Sequence, residues 1–211
     1  MPSLDASTHT YYDDQGEPIR YSATQFISRF FQPFRAHAIA SSLARKRGVT
    51  SPEIMAEWRQ TAVHGSQVHE SIHHWYNGVE EDFEHEAFFA FVEDHPHWTL
   101  IKSEYVVARG NIAGSVDALF VDEDGNVHIV DWKTTSKDLY RHYGRKALAP
   151  IENIRDTAFE KYSLQLYLYK HLLEPEFQVH SCWIVQLKEN GVYIKHEAAD
   201  RTEEIKKLLL F

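Results

Sequence analysis

The central sheet is predicted from one stretch of the chain, Gly114-Ser-Val-Asp117-Ala-Leu-Phe-Val-Asp-Glu-Asp-Gly-Asn-Val-His-Ile-Val-Asp131-Trp-Lys133-Thr-Thr. Two runs of strand-forming residues flank Glu123-Asp124-Gly125, which is typical of a three-residue hairpin loop with glycine in the left-handed position. Such a loop pairs Asp122 with Asn126. The register of the whole hairpin follows, because in an antiparallel pair each step along one strand matches one step back along the other.

That register places two carboxylates and a lysine together. Asp117 lies directly opposite Asp131, with Cβ atoms about 5 Å apart, and the two-residue period of a strand puts Lys133 on the same face as Asp131. Opposed like charges destabilise a sheet, and a divalent cation held by both carboxylates would offset them. Lys133 could then stabilise charge on a phosphate or help to orient a water molecule. The alternative is a solvent-facing edge hairpin with an ordinary salt bridge.

Outward from this hairpin, the hydrophobic periodicity predicts helices followed by a mostly antiparallel sheet with one inserted helix, which is an α+β or mixed α/β chain. The predicted strands are 99–108, 112–121, 127–133, 178–188 and 192–197. One helix is predicted to begin near Ala23 after a Ser22 cap, and a second to run through Arg45. Further helices are predicted over 51–76, 84–93, 157–173 and 201–210. A small hairpin is predicted from 10–12 and 19–21, and a long loop over 136–155.

Length and composition favour a single globular domain. The 211 residues divide into an N-terminal hairpin and helices (1–60), a core (61–200) and a C-terminal helix (201–211). With 43% apolar and 25% charged residues, the chain is not disordered, coiled-coil or fibrous. No apolar run approaches the roughly 20 residues of a membrane span, and the N-terminus shows no targeting signal. The single cysteine, Cys182, excludes a four-cysteine iron–sulfur cluster within the chain and favours an intracellular setting.

Charge is distributed unevenly along the chain. The net charge of −9 excludes a simple basic DNA-coating protein. Residues 20–60 and 133–161 are nevertheless basic, and residues 79–104 are acidic. This pattern suits a polyanion-binding protein with carboxylates in its site, although from charge alone solvated helix faces are the favoured interpretation.

A glutamine interrupts the apolar face of the predicted helix 157–173. Gln165 falls inside the apolar arc, where a carboxamide without partners costs on the order of 1–3 kcal/mol. Tyr169 lies one turn further along the same face. The two side chains could therefore project together into a polar site. The alternative is a glutamine satisfied by backbone groups of the core.

A second motif, His69-Glu70-Ser-Ile-His73, matches the H-E-x-x-H pattern of zinc proteases. Glu70 would be the general base and Glu93 a third ligand. With 14 histidines in the chain, a chance match is too frequent for this motif to stand alone. This interpretation also leaves the Asp117, Asp131 and Lys133 arrangement unexplained.

Taken together, five segments resemble a RecB-type nuclease of the PD-(D/E)xK superfamily. In chain order these are Gly65-Ser-Gln-Val-His69-Glu-Ser-Ile, Glu104 in Ser-Glu-Tyr-Val, Gly114-Ser-Val-Asp117, Asp131-Trp-Lys133-Thr-Thr, and Tyr162-Ser-Leu-Gln165-Leu-Tyr-Leu-Tyr169. In addition, Tyr21-Ser-Ala-Thr-Gln-Phe-Ile and residues 144–169 are similar to phage-encoded and mitochondrial-maintenance-type exonucleases of this group. The resemblance implies a restriction-endonuclease-like core flanked by helices.

The resemblance also implies a role for each matching residue. Asp117 and Asp131 would bind Mg²⁺ or Mn²⁺ together with the Trp132 carbonyl, and His69 would be the additional ligand of the RecB-type branch. Lys133 would be the catalytic lysine. The remaining matches have supporting roles: Gln165 and Tyr169 would support the site and contact nucleic acid, and Glu104 matches an upstream acidic position.

The implied function is a metal-dependent DNA nuclease, expected to be an exonuclease acting on single strands or ends in DNA repair or recombination. It would need neither ATP nor an iron–sulfur cluster, and would act in the cytoplasm of a bacterium or a phage-infected host, with an organelle not excluded. Cations expected to hold the DNA backbone are Arg141, Arg145, Lys146 and Lys161. Two other functions stay open at this point, a catalytically silent nucleic-acid-binding or structural subunit and a zinc protease. Cleavage polarity, exo or endo action, and DNA or RNA preference are not set by the sequence.

Overall fold

A six-stranded mixed sheet organises most of the chain in the computed structural model, which describes residues 1–5, 7–8, 10–79 and 82–211. The strands are β1 (Ser3–Asp5), β2 (Thr10–Tyr12), β3 (Tyr21–Ser22), β4 (Thr99–Arg109), β5 (Ile112–Val121), β6 (Val127–Lys133), β7 (Val179–Leu187) and β8 (Tyr193–Glu197). The helices are α1 (Ala23–Ser28), α2 (Ala36–Arg47), α3 (Ser51–Tyr76), α4 (Glu86–Asp94), α5 (Ala158–Leu173) and α6 (Thr202–Leu208).

The sheet is mostly antiparallel. β5 pairs antiparallel with β4 and with β6, and β8 pairs antiparallel with β7. β7 lies parallel to β6, and the connection between them carries α5, because parallel neighbours need a long crossover. A mixed sheet flanked by helices confirms the fold class predicted from the periodicity.

The hairpin of β5 and β6 has the predicted register. Ala118 pairs with Val130, and the Asp122 N–H donates to the Asn126 carbonyl at 3.1 Å. Gly125 adopts φ = 82°, the left-handed conformation that the loop requires. The turn chemistry and the alternation of apolar residues agree here, which is why the sequence predicts this pairing correctly.

The N-terminal segment differs from the predicted hairpin. β2 pairs antiparallel with β1, which the sequence pattern did not predict. The expected pairing with 19–21 is short: the Ile19 N–H donates to the Tyr11 carbonyl, Tyr12 and Pro18 form a bridge, and the Asp13 N–H donates to the Glu17 carbonyl. Proline has no N–H to extend a ladder. β3 instead joins the main sheet, parallel to the start of β5.

The chain divides into two compact units, residues 1–32 with 84–211, and residues 33–83. The first contains both sheets and one large core, to which α5 contributes Leu164, Leu166 and Leu168, all fully buried. The second consists of α2 and α3, packed around Ala40, Ala44 and Ile54. No helix in the described ranges is long and apolar enough to span a membrane.

Helix ends follow local capping chemistry. The Ser22 hydroxyl accepts from the Gln25 N–H, and the Gln25 side chain accepts from the Ser22 N–H, which forms a capping box before α1. Thr50 and Glu53 form a second box before α3, which ends at Tyr76 as predicted, with Asn77 as its C-cap. Thr157 caps α5. These caps explain why the predicted helix starts lie within a few residues of the observed ones.

Candidate active site

The end of β6 carries a close ion pair. Lys133 Nζ lies 2.6 Å from Asp131 Oδ2, and the two side chains are only 17% and 3% exposed. Burial opposes the charge on the Lys133 ammonium group, but the Asp131 and Asp117 carboxylates outweigh it and hold the pKa of Lys133 above its usual value. Lys133 is therefore a cation at neutral pH, and it lies on the same face as Asp131 as the strand period predicts.

Asp117 is held against the backbone of β6. Its Oδ2 accepts the Trp132 N–H at 2.9 Å, just beyond the Ala118–Val130 pair. The Trp132 side chain is 1% exposed and packs edge-on against Phe91, with ring centroids 5.0 Å apart. The buried indole therefore anchors β6 at the residue whose backbone N–H binds Asp117.

Glu104 adds a third carboxylate from β4. One of its carboxylate oxygens lies within 4.8 Å of one from Asp117, and its Oε2 accepts from the Ser115 hydroxyl at 2.9 Å. Glu104 adopts φ = 47°, a left-handed conformation that costs a residue with a Cβ roughly 1–3 kcal/mol. Such strain is typical of functional positions, and here it accompanies a side chain aimed at Asp117.

Helix α5 contributes the predicted glutamine and tyrosine. Gln165 Nε2 donates to the Tyr169 hydroxyl at 3.0 Å, so the two side chains do project together. Burial and the nearby Asp117 raise the pKa of Tyr169 well above its usual value, so it stays a neutral phenol. Tyr162 lies about one helical turn before Gln165 on α5. The centroid of its ring is 4.7 Å from Lys133 Nζ. Tyr162 belongs to the quoted motif, but nothing in the sequence indicates this contact.

The sequence pattern also gave no role to Gln186 of β7, which pairs in register with Lys133. Its amide nitrogen donates to the carbonyls of Thr135 and Lys137 at 2.9 and 3.0 Å, and its oxygen accepts from His196 at 3.0 Å. Gln186 is 2% exposed. These bonds fix the backbone of residues 135–137, which follow Lys133 in the chain. The available signal was one polar residue inside the apolar run Trp-Ile-Val-Gln-Leu.

The four predicted DNA-contacting cations fall into two groups. Arg141 and Lys146 are exposed on the loop between β6 and α5, with the Arg141 guanidinium 5.3 Å from the Tyr143 ring. Arg145 and Lys161 both bind the Asp156 carboxylate, at 3.2 and 2.6 Å. The predicted long loop is therefore partly structured.

The other predicted ligand, His69, lies on α3 in the second unit and is partly buried. Glu70 and His73 occupy the same helix, as predicted for residues 51–76, and Glu70 is exposed. The ligand role of His69 stays a prediction, as does that of the Trp132 carbonyl.

Comparison with known proteins shows the family to which this chain belongs. The family model described as the PD-(D/E)XK nuclease superfamily matches residues 34–209. No curated protein matches the sequence. Among solved structures, SSO0001 is similar at a TM-score of 0.40 and 16% identity, covering 90% of this chain and 73% of that one. An alkaline exonuclease (LHK-Exo) from Laribacter hongkongensis is similar at a TM-score of 0.49 and 9% identity, covering 90% of this chain and 82% of that one.

Proposed function

Because the chain belongs to the PD-(D/E)XK nuclease superfamily, we propose that it is a metal-dependent deoxyribonuclease that hydrolyses phosphodiester bonds. The family predicted from the five motifs is confirmed, while its RecB-type exonuclease branch stays a prediction. The proposal rests above all on the contact between Lys133 and Asp131, since it joins a largely buried cation to a carboxylate at the end of β6, where Asp117 of the neighbouring strand β5 binds the Trp132 N–H.

Three carboxylates are available to hold a divalent cation. Asp117 and Glu104 have oxygens within 4.8 Å of each other, and the carboxylates of Asp131 and Asp117 both act on the Lys133 ammonium group. Carboxylate oxygens are the ligands that Mg²⁺ and Mn²⁺ prefer. The resemblance adds the Trp132 carbonyl and His69, and a neutral imidazole ligand suits Mn²⁺ better than Mg²⁺. Such an ion, when bound, supplies an activated water molecule and offsets charge on the phosphate.

Lys133 has the chemistry to stabilise the transition state. An ammonium group offers three donors, and its contact with Asp131 Oδ2 occupies one. The Tyr162 ring and the carboxylates hold Nζ in place. A donor fixed before the substrate arrives stabilises developing negative charge without reorganisation of its surroundings, which is the basis of electrostatic catalysis.

Gln165 and Tyr169 are proposed to support this site and contact the nucleic acid. Their mutual hydrogen bond fixes both side chains on α5, while Tyr169 packs against Gly114 at the start of β5. The substrate strand would be held by Arg141, Arg145, Lys146 and Lys161, in a salt-dependent manner. Residues 1–60 are proposed as a further DNA-contacting part of a single nuclease domain.

We further propose that the enzyme is an exonuclease on single strands or DNA ends, in an intracellular setting and in DNA repair or recombination. These finer assignments rest on the motif resemblance. A catalytically silent nucleic-acid-binding subunit is the second candidate, because the same fold and cations would serve it equally.

Cleavage of an end-labelled single-stranded oligonucleotide tests the proposal. We expect degradation in Mg²⁺ or Mn²⁺, none in EDTA, and loss of activity in Asp117→Asn; the product ladder would give the polarity. Asp122→Asn on the hairpin loop is a matched control, because that carboxylate binds Asn126 and His128 rather than the site. Folded protein that binds the oligonucleotide but cleaves nothing in either metal would favour the silent subunit.

A further inference from the structure

One buried carboxylate in the loop before α5 holds two cations. The Asp156 side chain is 2% exposed, and its two oxygens lie 2.6 Å from Lys161 Nζ and 3.2 Å from Arg145 Nε. The backbone reinforces the pair, because the Asp156 N–H donates to the Arg145 carbonyl at 3.0 Å. Two cations share one anion, so the cluster keeps a net positive charge.

Both cations remain accessible while their positions are fixed. The Arg145 and Lys161 side chains are 46% and 39% exposed. Lys161 Nζ also lies 4.7 Å from the Phe31 ring, which is itself buried. Holding a long cationic side chain in one geometry normally costs conformational entropy. Here that ordering is already built into the fold, so a bound anion would not have to supply it.

The cluster adjoins the candidate active site along α5. Residues four apart lie one above the other on a helix, so Lys161, Gln165 and Tyr169 form a single stripe. The next residue, Tyr162, carries the ring that contacts Lys133. The positive cluster therefore lies one helical turn beyond Gln165 on the face that the site uses.

We propose that Arg145 and Lys161, oriented by Asp156, bind a phosphate of the substrate strand next to the phosphate that is cleaved. The inference rests on the proposed nuclease function and adds a defined subsite to it. Lys161 and Arg145 make charge-assisted hydrogen bonds to this phosphate, and Asp156 is a positioning residue that does not touch the substrate. Arg141 and Lys146, in contrast, contribute general attraction for the DNA backbone.

A neutral linkage placed at one position of the substrate tests whether this subsite binds a charged phosphate. An oligonucleotide with a single methylphosphonate blocks the enzyme where that linkage reaches the scissile position. We expect wild type to pause at one additional point, when the neutral linkage occupies the Arg145–Lys161 subsite, with cleavage slowed about tenfold or more. In Lys161→Ala this additional pause should disappear, while the block at the scissile position persists. Lys206→Ala is the matched control, since that lysine is paired with Glu203 on α6.

Asp156→Asn separates positioning from charge. Removing one negative charge beside two cations should raise overall affinity for DNA, whereas loss of orientation should weaken the additional pause. Tighter binding together with a shallower pause supports the proposal. An unchanged pause in both Asp156→Asn and Lys161→Ala would overturn it, as would a wild-type ladder without the additional pause.

A binding measurement decides the inference separately from catalysis. In EDTA, Lys161→Ala should reduce the slope of log K against log salt concentration by about one, and Lys206→Ala should leave it unchanged. If wild type cleaves nothing, the nuclease proposal fails, yet this slope still reports whether Lys161 contacts a phosphate. An unchanged slope in Lys161→Ala contradicts the subsite whether or not the protein cleaves DNA.

Discussion

The ring of Tyr169 lies directly against the Cα of Gly114, so that a Cβ at position 114 would fall 3.0 Å from the Tyr169 hydroxyl oxygen and closer still to the ring edge. No side chain larger than hydrogen fits here unless the ring moves. Gly114 precedes Asp117 on β5, and Tyr169 accepts a hydrogen bond from Gln165. The glycine therefore sets the distance between the helix that carries Gln165 and the strand that carries Asp117.

Gly114→Ala should displace the Tyr169 ring and lower the rate of cleavage. Overpacking of this kind costs about 1–3 kcal/mol of stability, which thermal unfolding would measure. The effect should be coupled to the ring: in a Tyr169→Ala background, Gly114→Ala should cost much less. Additive losses in this double-mutant cycle would show that the two residues act independently.

Gln186→Leu should loosen the chain that follows Lys133. The Thr135 and Lys137 carbonyls would lose the Gln186 amide as a donor, and we expect about 1–3 kcal/mol lower stability together with a lower kcat. Gln178→Leu is the control, because Gln178 is exposed before β7. A variant that unfolds earlier but keeps the wild-type kcat below its melting temperature would limit Gln186 to a structural role.

Cys182 should be unreactive in the folded protein. It is 2% exposed on β7, and burial raises the pKa of its thiol to about 12. The folded state therefore holds the neutral thiol, which is a poor nucleophile, throughout the neutral and mildly alkaline range. A chromogenic thiol reagent should modify Cys182 slowly in buffer and rapidly in denaturant. Fast modification of the native protein at neutral pH would argue against this packing.

The two hypotheses for the His69-Glu70-Ser-Ile-His73 segment predict opposite outcomes. Glu70→Gln would abolish a zinc protease, in which this residue is the general base. The nuclease account expects Glu70→Gln to retain cleavage of DNA, because Glu70 is an exposed residue without a proposed role. It expects His69→Ala to weaken activity and to shift metal preference away from Mn²⁺. Rates in each metal, with a casein digestion in parallel, distinguish the two.

Local chemistry accounts for what the sequence predicts well. The loop Glu123-Asp124-Gly125 fixes the hairpin, and the caps at Ser22, Thr50 and Thr157 fix the helix starts. The contact between Gln165 and Tyr169 follows from the helical period alone. Each of these features is decided by residues within one or two turns of each other.

Contacts between distant segments were not predictable in this way. Gln186 binding to the Thr135 carbonyl and the ring of Tyr162 on Lys133 depend on how α5 and β7 pack beside β6. The pairing of β2 with β1 was likewise not indicated by the sequence, and the predicted hairpin is short because Pro18 has no N–H to extend its ladder. Tertiary packing overrides local pattern at these places.

The most direct test is single-turnover cleavage of a single-stranded oligonucleotide by Lys133→Ala, with Lys206→Ala as the control and DNA affinity measured in parallel. Loss of the Lys133 ammonium group should lower the rate by a factor on the order of 10² or more, as for removal of a transition-state donor, while affinity changes little. The same rate in Lys133→Ala and wild type would contradict the assignment of the site to Asp117 on β5 and to Asp131 and Lys133 at the end of β6.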